Sequence, residues 1–343
     1  MDYNTNKQGG RDLSRSQQAQ GGSRMQAERS AITGEKLTLL RKWNTRRKLY
    51  YTYRYAYLLV IPGFIYFVVF KLAPMWGLLI AFKDFSPFAG FWGSEWVGFK
   101  YFAEFFANEY FYLMLRNTIV ISLMNLIFYF PAPILLALLI NEIRVERFKR
   151  LNQTIIYMPH FLSWVVIAGI TFFMLSSDVG FVNKVIVSIG GQPVAFLSNP
   201  KLFWWVILLQ NTWKEIGWGT ILFLAAMTQI DPMLYEAATI DGATRMQKIT
   251  HVTIPSILPT IIVLFILRLG HIMDVGFEQV LLMTNPYVRD VAEVFDTYSY
   301  NQGINQGNFS IAITVGIFKS IVGLIMVVLS DRLVKRMGHS GIY

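Results

Sequence analysis

Six ionisable side chains stand inside otherwise apolar runs of this 343-residue sequence: Lys71, Arg116, Lys214, Glu215, Arg268 and Lys319. A charge in hydrocarbon costs about 2.5–3.5 kcal/mol on insertion scales, so such groups face a water-filled cavity or an internal partner. Five cations against one anion favour an anionic visitor if the groups line a cavity. Lys214 and Glu215 close the run Gln210-Asn211-Thr212-Trp213-Lys214-Glu215. There the indole of Trp213, with that of Trp218, has the shape to stack on a sugar ring, while Gln210 and Asn211 can hydrogen-bond hydroxyls. The same residues serve equally well as partners packed between helices. Lys71 and Arg116 lie near the expected outer ends of their runs, where long side chains snorkel to water.

Bond-making chemistry has little to work with. There is no cysteine, which removes thiolate metal sites and thiol nucleophiles. Four scattered histidines (His160, His251, His271, His339) form no HExxH pair, and no nucleophile motif or phosphate-binding Gly-rich loop occurs. Energy for any uphill process must come from a partner or from an ion gradient.

The elements that carry these residues belong in a bilayer. With 54% hydrophobic and only 15% charged residues, the chain is too apolar for an ordinary soluble protein. Six stretches reach the roughly 20 residues a spanning helix needs: about 55–82, 113–140, 153–177, 202–230, 252–273 and 309–330. Charge then orients them. Twelve Lys/Arg and four acids in residues 1–54 hold eight of the ten net positive charges. This fits a cytoplasmic tail against anionic lipid rather than a nucleic-acid partner. With that end inside, the inner segments carry 21 Lys/Arg and the outer segments 5, against ten acids. Both termini are therefore expected in the cytoplasm. Residues 1–50 have no apolar periodicity and read as a disordered basic tail without a signal-peptide core. Residues 51–336 read as the membrane domain and 337–343 as a cytoplasmic end. Outer segments rich in Trp and Phe suggest interfacial anchors, and 289–303 has the spacing of a short surface helix.

Between the fourth and fifth runs lies a polar island, DPMLYEAATIDGATRMQKITHVTIPSILP (231–259). Asp231 suits a helix N-cap and Pro232 the first helical position. Glu236 sits one turn in, near the positive end of the helix dipole. Asp241-Gly242 reads as a left-handed stop, before a second helical piece leading to Pro255. Ala237, Ala238 and Ala243 leave little bulk, so that another protein could approach this backbone closely.

The spacing Glu236-Ala237-Ala238, three residues, Gly242, nine residues, Val252-Thr253-Ile254-Pro255 resembles the EAA signature of permease subunits in ATP-binding-cassette importers. Val252 and Ile254 are conservative departures from the usual ending. YEAATIDGA, NTWKEIGWGTILFLAAM, GFEQVLLMTNP and DTYSYNQG are similar to the carbohydrate-uptake branch, in particular to permeases for oligosaccharides. The resemblance covers about residues 50–335. It implies an all-α polytopic membrane protein with six transmembrane helices and the type I importer permease fold, placed in a bacterial plasma (inner) membrane. It implies a coupling helix within 231–251, where Glu236 contacts an ATPase, Ala237 and Ala238 allow the fit, Gly242 sets the bend, and Asp241 and Pro255 shape the flanks. The implied partners are a second permease in a heterodimer, two ATPase subunits that use ATP and Mg, and an extracytoplasmic solute-binding protein. No cofactor is expected on this chain. Gln210, Asn211, Trp213, Lys214, Glu215, Arg268 and Lys319 are the candidate substrate path, and their cation excess points to acidic, uronate-containing oligosaccharides. The alternative is an ion-coupled secondary sugar carrier.

Overall fold

The computed structural model describes residues 52–338 and 341. The basic tail 1–50 and residues 339, 340, 342 and 343 of the expected cytoplasmic end lie outside them. Two compact units divide the chain at residues 76 and 77. In the first, α1 (Arg54–Phe67) leads into a π turn at Val68–Leu72, and no residue of either is buried. A helix apolar on every side and exposed on every side needs lipid or another apolar surface around it.

The second unit is helical apart from one short ribbon, β1 (Lys83–Asp84) paired antiparallel with β2 (Glu95–Trp96). After a single helical turn at Gly90–Gly93 inside the ribbon, its helices are α2 (Lys100–Ala107), α3 (Phe111–Met124), α4 (Pro131–Asn141), α5 (Glu146–Tyr157), α6 (Trp164–Leu175), α7 (Phe181–Ser188) and α8 (Pro200–Met227). They continue as α9 (Pro232–Ile240), α10 (Arg245–Lys248), α11 (Ile254–Gly270), α12 (Phe277–Met283), α13 (Arg289–Ala292), α14 (Phe295–Tyr300) and α15 (Phe309–Arg336).

Proline placement shapes the long helices. π turns at Val68–Leu72, Asn125–Tyr129 and Ile249–Thr253 each end two residues before a proline, namely Pro74, Pro131 and Pro255. Proline has no N–H to give and its ring crowds the carbonyl one turn back, so the helix widens locally instead of breaking. A fourth π turn, Asn301–Asn305, is followed by no proline.

Among the described residues, four helical stretches are long and apolar enough to cross a membrane: Arg54–Phe82, Phe111–Asn141, Arg245–Gly270 and Phe309–Arg336. The third expected run is not one helix. Glu146–Phe161 and Trp164–Leu175 meet at 101°, and together they pass the same test. Leu162 and Ser163 are extended at the break, and the Ser163 hydroxyl accepts from the Val166 N–H to start α6. The fourth run is α8, a 28-residue helix. It spans about 42 Å at 1.5 Å per residue, but its polar centre leaves it outside the apolar set. The six-span expectation thus meets four apolar spans, one broken pair and α8.

Three apolar cores hold this unit together. Ile207 of α8 packs with Val280, Val288, Ala292 and Val294. Phe105, Phe111 and Phe295 meet edge to face or tilted, with Phe318 beside them. Ala137, Phe223, Leu224 and Ile257 join α4, α8 and α11. The segment 289–303 is not the surface helix expected from its spacing. It breaks at Glu293, and Val294 and Phe295 are fully buried, because their side chains close two cores at once.

Candidate functional site

The polar island folds as an exposed helix, turn and helix. Asp231 caps α9 by accepting from the Met233 N–H at 2.9 Å, with Pro232 in the first turn. At the far end the Ala243 N–H reaches the Ala238 carbonyl and the Gly242 N–H reaches that of Thr239. This double closure needs a left-handed residue between, and Gly242 has φ +75°. Thr244 then caps α10 in a reciprocal box with Gln247. Lys248 donates to Thr239 Oγ1 at 2.7 Å across the bend, and the Tyr235 hydroxyl lies 2.9 Å from that of Thr253. The bend is therefore fixed by backbone and side chains together. No residue of α9 is buried, and Glu236, Ala237, Asp241, Gly242 and Pro255 are all exposed, with Ala238 half-buried. Met233, Leu234 and Ile240 are exposed beside them. A rigid, apolar-edged helix standing free with a carboxylate at its middle has the form of a docking element.

At the centre of α8, residues Gln210, Lys214 and Gly217 follow at helical spacing and are buried. Gln210 donates to Thr171 Oγ1 at 2.6 Å and accepts from Gln279, which also donates to the Ile207 carbonyl. Lys214 Nζ donates to the carbonyls of His160 at 2.6 Å and Leu162 at 2.9 Å, and lies 5.5 Å from the centre of the Trp164 ring. These are carbonyls that the 101° break frees from helix bonding, and a buried carbonyl without a donor costs about 1–3 kcal/mol. Glu215 completes the arrangement, 2.8 Å from His160 Nδ1 and 3.6 Å from Lys214 Nζ. The His160 ring stacks on Trp218 at 4.6 Å and 8°. Gly217 lets the backbones touch, since a Cβ there would lie 2.2 Å from the Ile156 carbonyl oxygen.

The other expected path residues separate. Asn211 donates to Asn125 Oδ1 at 2.7 Å, joining α8 to the π turn that leads into α4. Trp213 is half exposed and, with Gln210, lines a 670 Å³ cleft whose other walls include Trp205, Phe196, Leu209 and Ile170. Arg268 lies 5.9 Å from the Tyr129 ring centre, with no ion-pair partner among the described residues. The Tyr129 hydroxyl in turn points to the Glu215 carbonyl at 3.4 Å. Lys319 is neutralised between Asp274, at 2.7 Å, and Asp296. Burial raises the Asp274 carboxyl pKa, but the bonds from Lys319 and His271 outweigh it and hold the group below the ordinary carboxylate range. Arg116 is exposed. It donates to the Asp290 carbonyl at 2.7 Å and to Asn117, whose own amide reaches the carbonyls of Asp290 and Glu293.

Three residues that sequence reasoning passed over complete these arrangements: His160, Asn125 and Gln279. A usable signal existed for His160. Pro159-His160 stands within an apolar run just before Ser163, a helix-start residue, which marks a break with free backbone groups. Gln279 and Asn125 carry no such sign, because their partners come from distant segments.

Comparison with known proteins agrees with this geometry. Residues 129–339 match the model of the family described as binding-protein-dependent transport system inner membrane component. Protein LplB of Bacillus subtilis is 51% identical over 290 residues, 84% of this chain and 91% of that protein. The polygalacturonan/rhamnogalacturonan transport system permease protein YteP of the same organism is 50% identical, over 84% of this chain and 90% of its own. Among solved structures, a chain of a bacterial alginate ABC transporter in complex with an alginate pentasaccharide-bound periplasmic protein superposes with a TM-score of 0.78. It is 39% identical, covering 86% of this chain and 99% of that one. The chain is a multi-pass permease subunit and not an enzyme, and it belongs to the binding-protein-dependent transport system inner membrane component family.

Proposed function

We propose that this chain is one of two permease subunits of an ATP-driven importer of oligosaccharides, coupled to the ATPases through α9. The observation that carries the coupling is the free-standing helix with its locked left-handed turn at Gly242. Two ATPase subunits hold ATP and Mg, a second and different permease completes the path, and an extracytoplasmic solute-binding protein delivers the substrate. No cofactor is assigned to this chain. α8 and the broken α5–α6 pair cross the membrane with the four apolar spans, and both termini lie in the cytoplasm, in keeping with the charge asymmetry of the segments.

Acidic oligosaccharides are the proposed substrate class. Relatives named for polygalacturonan/rhamnogalacturonan and alginate support it, and so does Arg268, in the last turn of α11 and with no ion pair among the described residues. The bare cation excess supports it less, since Lys214, Lys319 and Arg116 have internal partners. The proposed path is correspondingly narrower: Asn211, Trp213, Glu215 and Arg268 border it, while Gln210, Lys214 and Lys319 hold its walls. Uptake of galacturonate oligomers by the reconstituted importer, dependent on ATP and on the binding protein, is the expected result. Uptake driven by a proton gradient without ATP would replace this reading with the ion-coupled carrier.

A further inference from the structure

A second polar cleft, of 330 Å³, opens between the α2–α3 junction and the 289–306 segment. Its size is near the lower end of the ~300–1,000 Å³ typical of small-molecule sites. It shares no lining residue with the Lys214–Glu215–His160 arrangement or with α9, although the carbonyls of Asp290 and Glu293 also accept from Arg116 and Asn117.

Its chemistry is that of a hydroxyl-reading surface. Asn301 Oδ1 accepts from Asn305 at 2.8 Å, and Gln302 Oε1 accepts from Asn308 at 2.9 Å. Each side chain is thus oriented by one end, which leaves its amide N–H groups to donate. The Tyr298 hydroxyl accepts from Asn108 Nδ2 at 3.0 Å and keeps its own proton to give. Asp290 brings a carboxylate acceptor to the same lining, as does Glu293, whose carboxylate also takes the Thr297 hydroxyl and Arg289. The Tyr110 ring, 53% exposed, offers a flat apolar face at the rim. Donors, acceptors and one aromatic face around a small volume match a pyranose, which presents hydroxyls at its edge and C–H bonds on its face.

The backbone points the same way. Asn301 and Gln302 begin the one π turn of the described residues that no proline explains. Such turns re-aim side chains and occur often at functional positions. Charge then selects the ring. Arg289 is the one cation on the wall, 3.7 Å from Glu293, against two carboxylates. The cleft is net negative and disfavours a uronate.

We infer that this cleft is a sugar subsite of the permease that binds a neutral pyranose unit of the incoming oligosaccharide and discriminates against a uronate unit. The inference rests on the oligosaccharide-importer reading and adds to it a contact outside the α8 path. A mixed oligomer would then place its neutral and acidic rings at different points of this chain.

Saturation-transfer-difference NMR on the whole transporter in lipid nanodiscs, without binding protein, tests it. The probes are methyl α-rhamnopyranoside and galacturonic acid, each at millimolar concentration. Wild type should saturate the neutral ring at least fivefold more strongly than the acid. Gln302→Leu and the exposed-site variant Tyr110→Ala should each lower the neutral signal at least threefold, and Asp290→Asn should narrow the preference. Equal transfer to both sugars, no transfer to the neutral one, or unchanged signals in both Gln302→Leu and Tyr110→Ala would overturn the subsite. A parallel uptake assay with the binding protein separates the two levels: uptake of oligosaccharide with a failed NMR result removes the subsite alone. Absence of any oligosaccharide uptake removes the importer reading and this inference with it.

Discussion

Lys214 Nζ donates to the carbonyl of His160 at 2.6 Å, and the neighbouring Glu215 holds the same residue's ring at 2.8 Å. Two consecutive residues of α8 thus grip one residue of the α5–α6 break by its main chain and its side chain. α8 then runs on, through Thr228-Gln229-Ile230, to α9. The grip fixes the elbow to the helix that leads into the proposed coupling element, and the buried Lys214 ammonium serves the backbone of that elbow.

Lys214→Met should therefore lower stability by roughly 1–3 kcal/mol, the cost of leaving buried carbonyls without a donor. Thermal unfolding of the purified protein measures this. Uptake of acidic and neutral oligosaccharides should fall together, and Lys214→Arg should restore part of both. A loss confined to acidic substrates would mark Lys214 as a substrate contact instead.

Arg268→Ala should behave in the opposite way. With no ion pair among the described residues to break, its removal should leave the unfolding midpoint nearly unchanged. It should weaken uptake of galacturonate oligomers about tenfold relative to neutral oligomers of equal length, a difference of about 1.4 kcal/mol. Equal uptake ratios in variant and wild type would remove Arg268 from the path.

Gly217→Ala should destabilise the packing of α5 on α8, because the added Cβ meets backbone at 2.2 Å and backbone cannot rotate away. Overpacking of this kind costs about 1–3 kcal/mol. Gly316→Ala on α15, where a Cβ meets nothing within 4 Å, is the control and should be close to neutral in the same melting experiment.

Acid should loosen the Lys319 ion-pair knot. The folded Asp274 carboxyl has a lowered pKa, so its contribution is fully present above the ordinary carboxylate range and is lost as pH falls through the folded value. The melting difference between wild type and Asp274→Asn should accordingly be present above the ordinary carboxylate range and close as pH falls below it. Asp274 is about half exposed, so the effect is small. A difference that persisted undiminished well below the carboxylate range would contradict the assignment.

Much of the fold was legible because the bilayer imposes length and apolarity on each span and because capping residues act locally. Asp231, Pro232 and Gly242 each do in the structure what their local chemistry dictates within four residues of chain. Non-local partnerships were not legible. Nothing in the run around Lys214 names His160, 54 residues away, as the owner of the carbonyl it serves. Val294 and Phe295 looked like one face of a surface helix because periodicity reports a stripe of apolar residues, not what covers it. Lys319 looked like a path cation because its two acids come from other segments of the chain.

In the proposed importer, α9 transmits ATP hydrolysis to transport through the turn at Gly242. A side chain at φ +75° is strained even where space is open, by about 1–2 kcal/mol, and more for a β-branched residue. The direct measurement is the ratio of oligosaccharide accumulated to ATP hydrolysed in proteoliposomes carrying the complete importer, for wild type and Gly242→Val at equal membrane insertion. Wild type should accumulate substrate in proportion to hydrolysis, whereas the variant should insert normally but show a ratio at least tenfold lower. A variant with the wild-type ratio would contradict it.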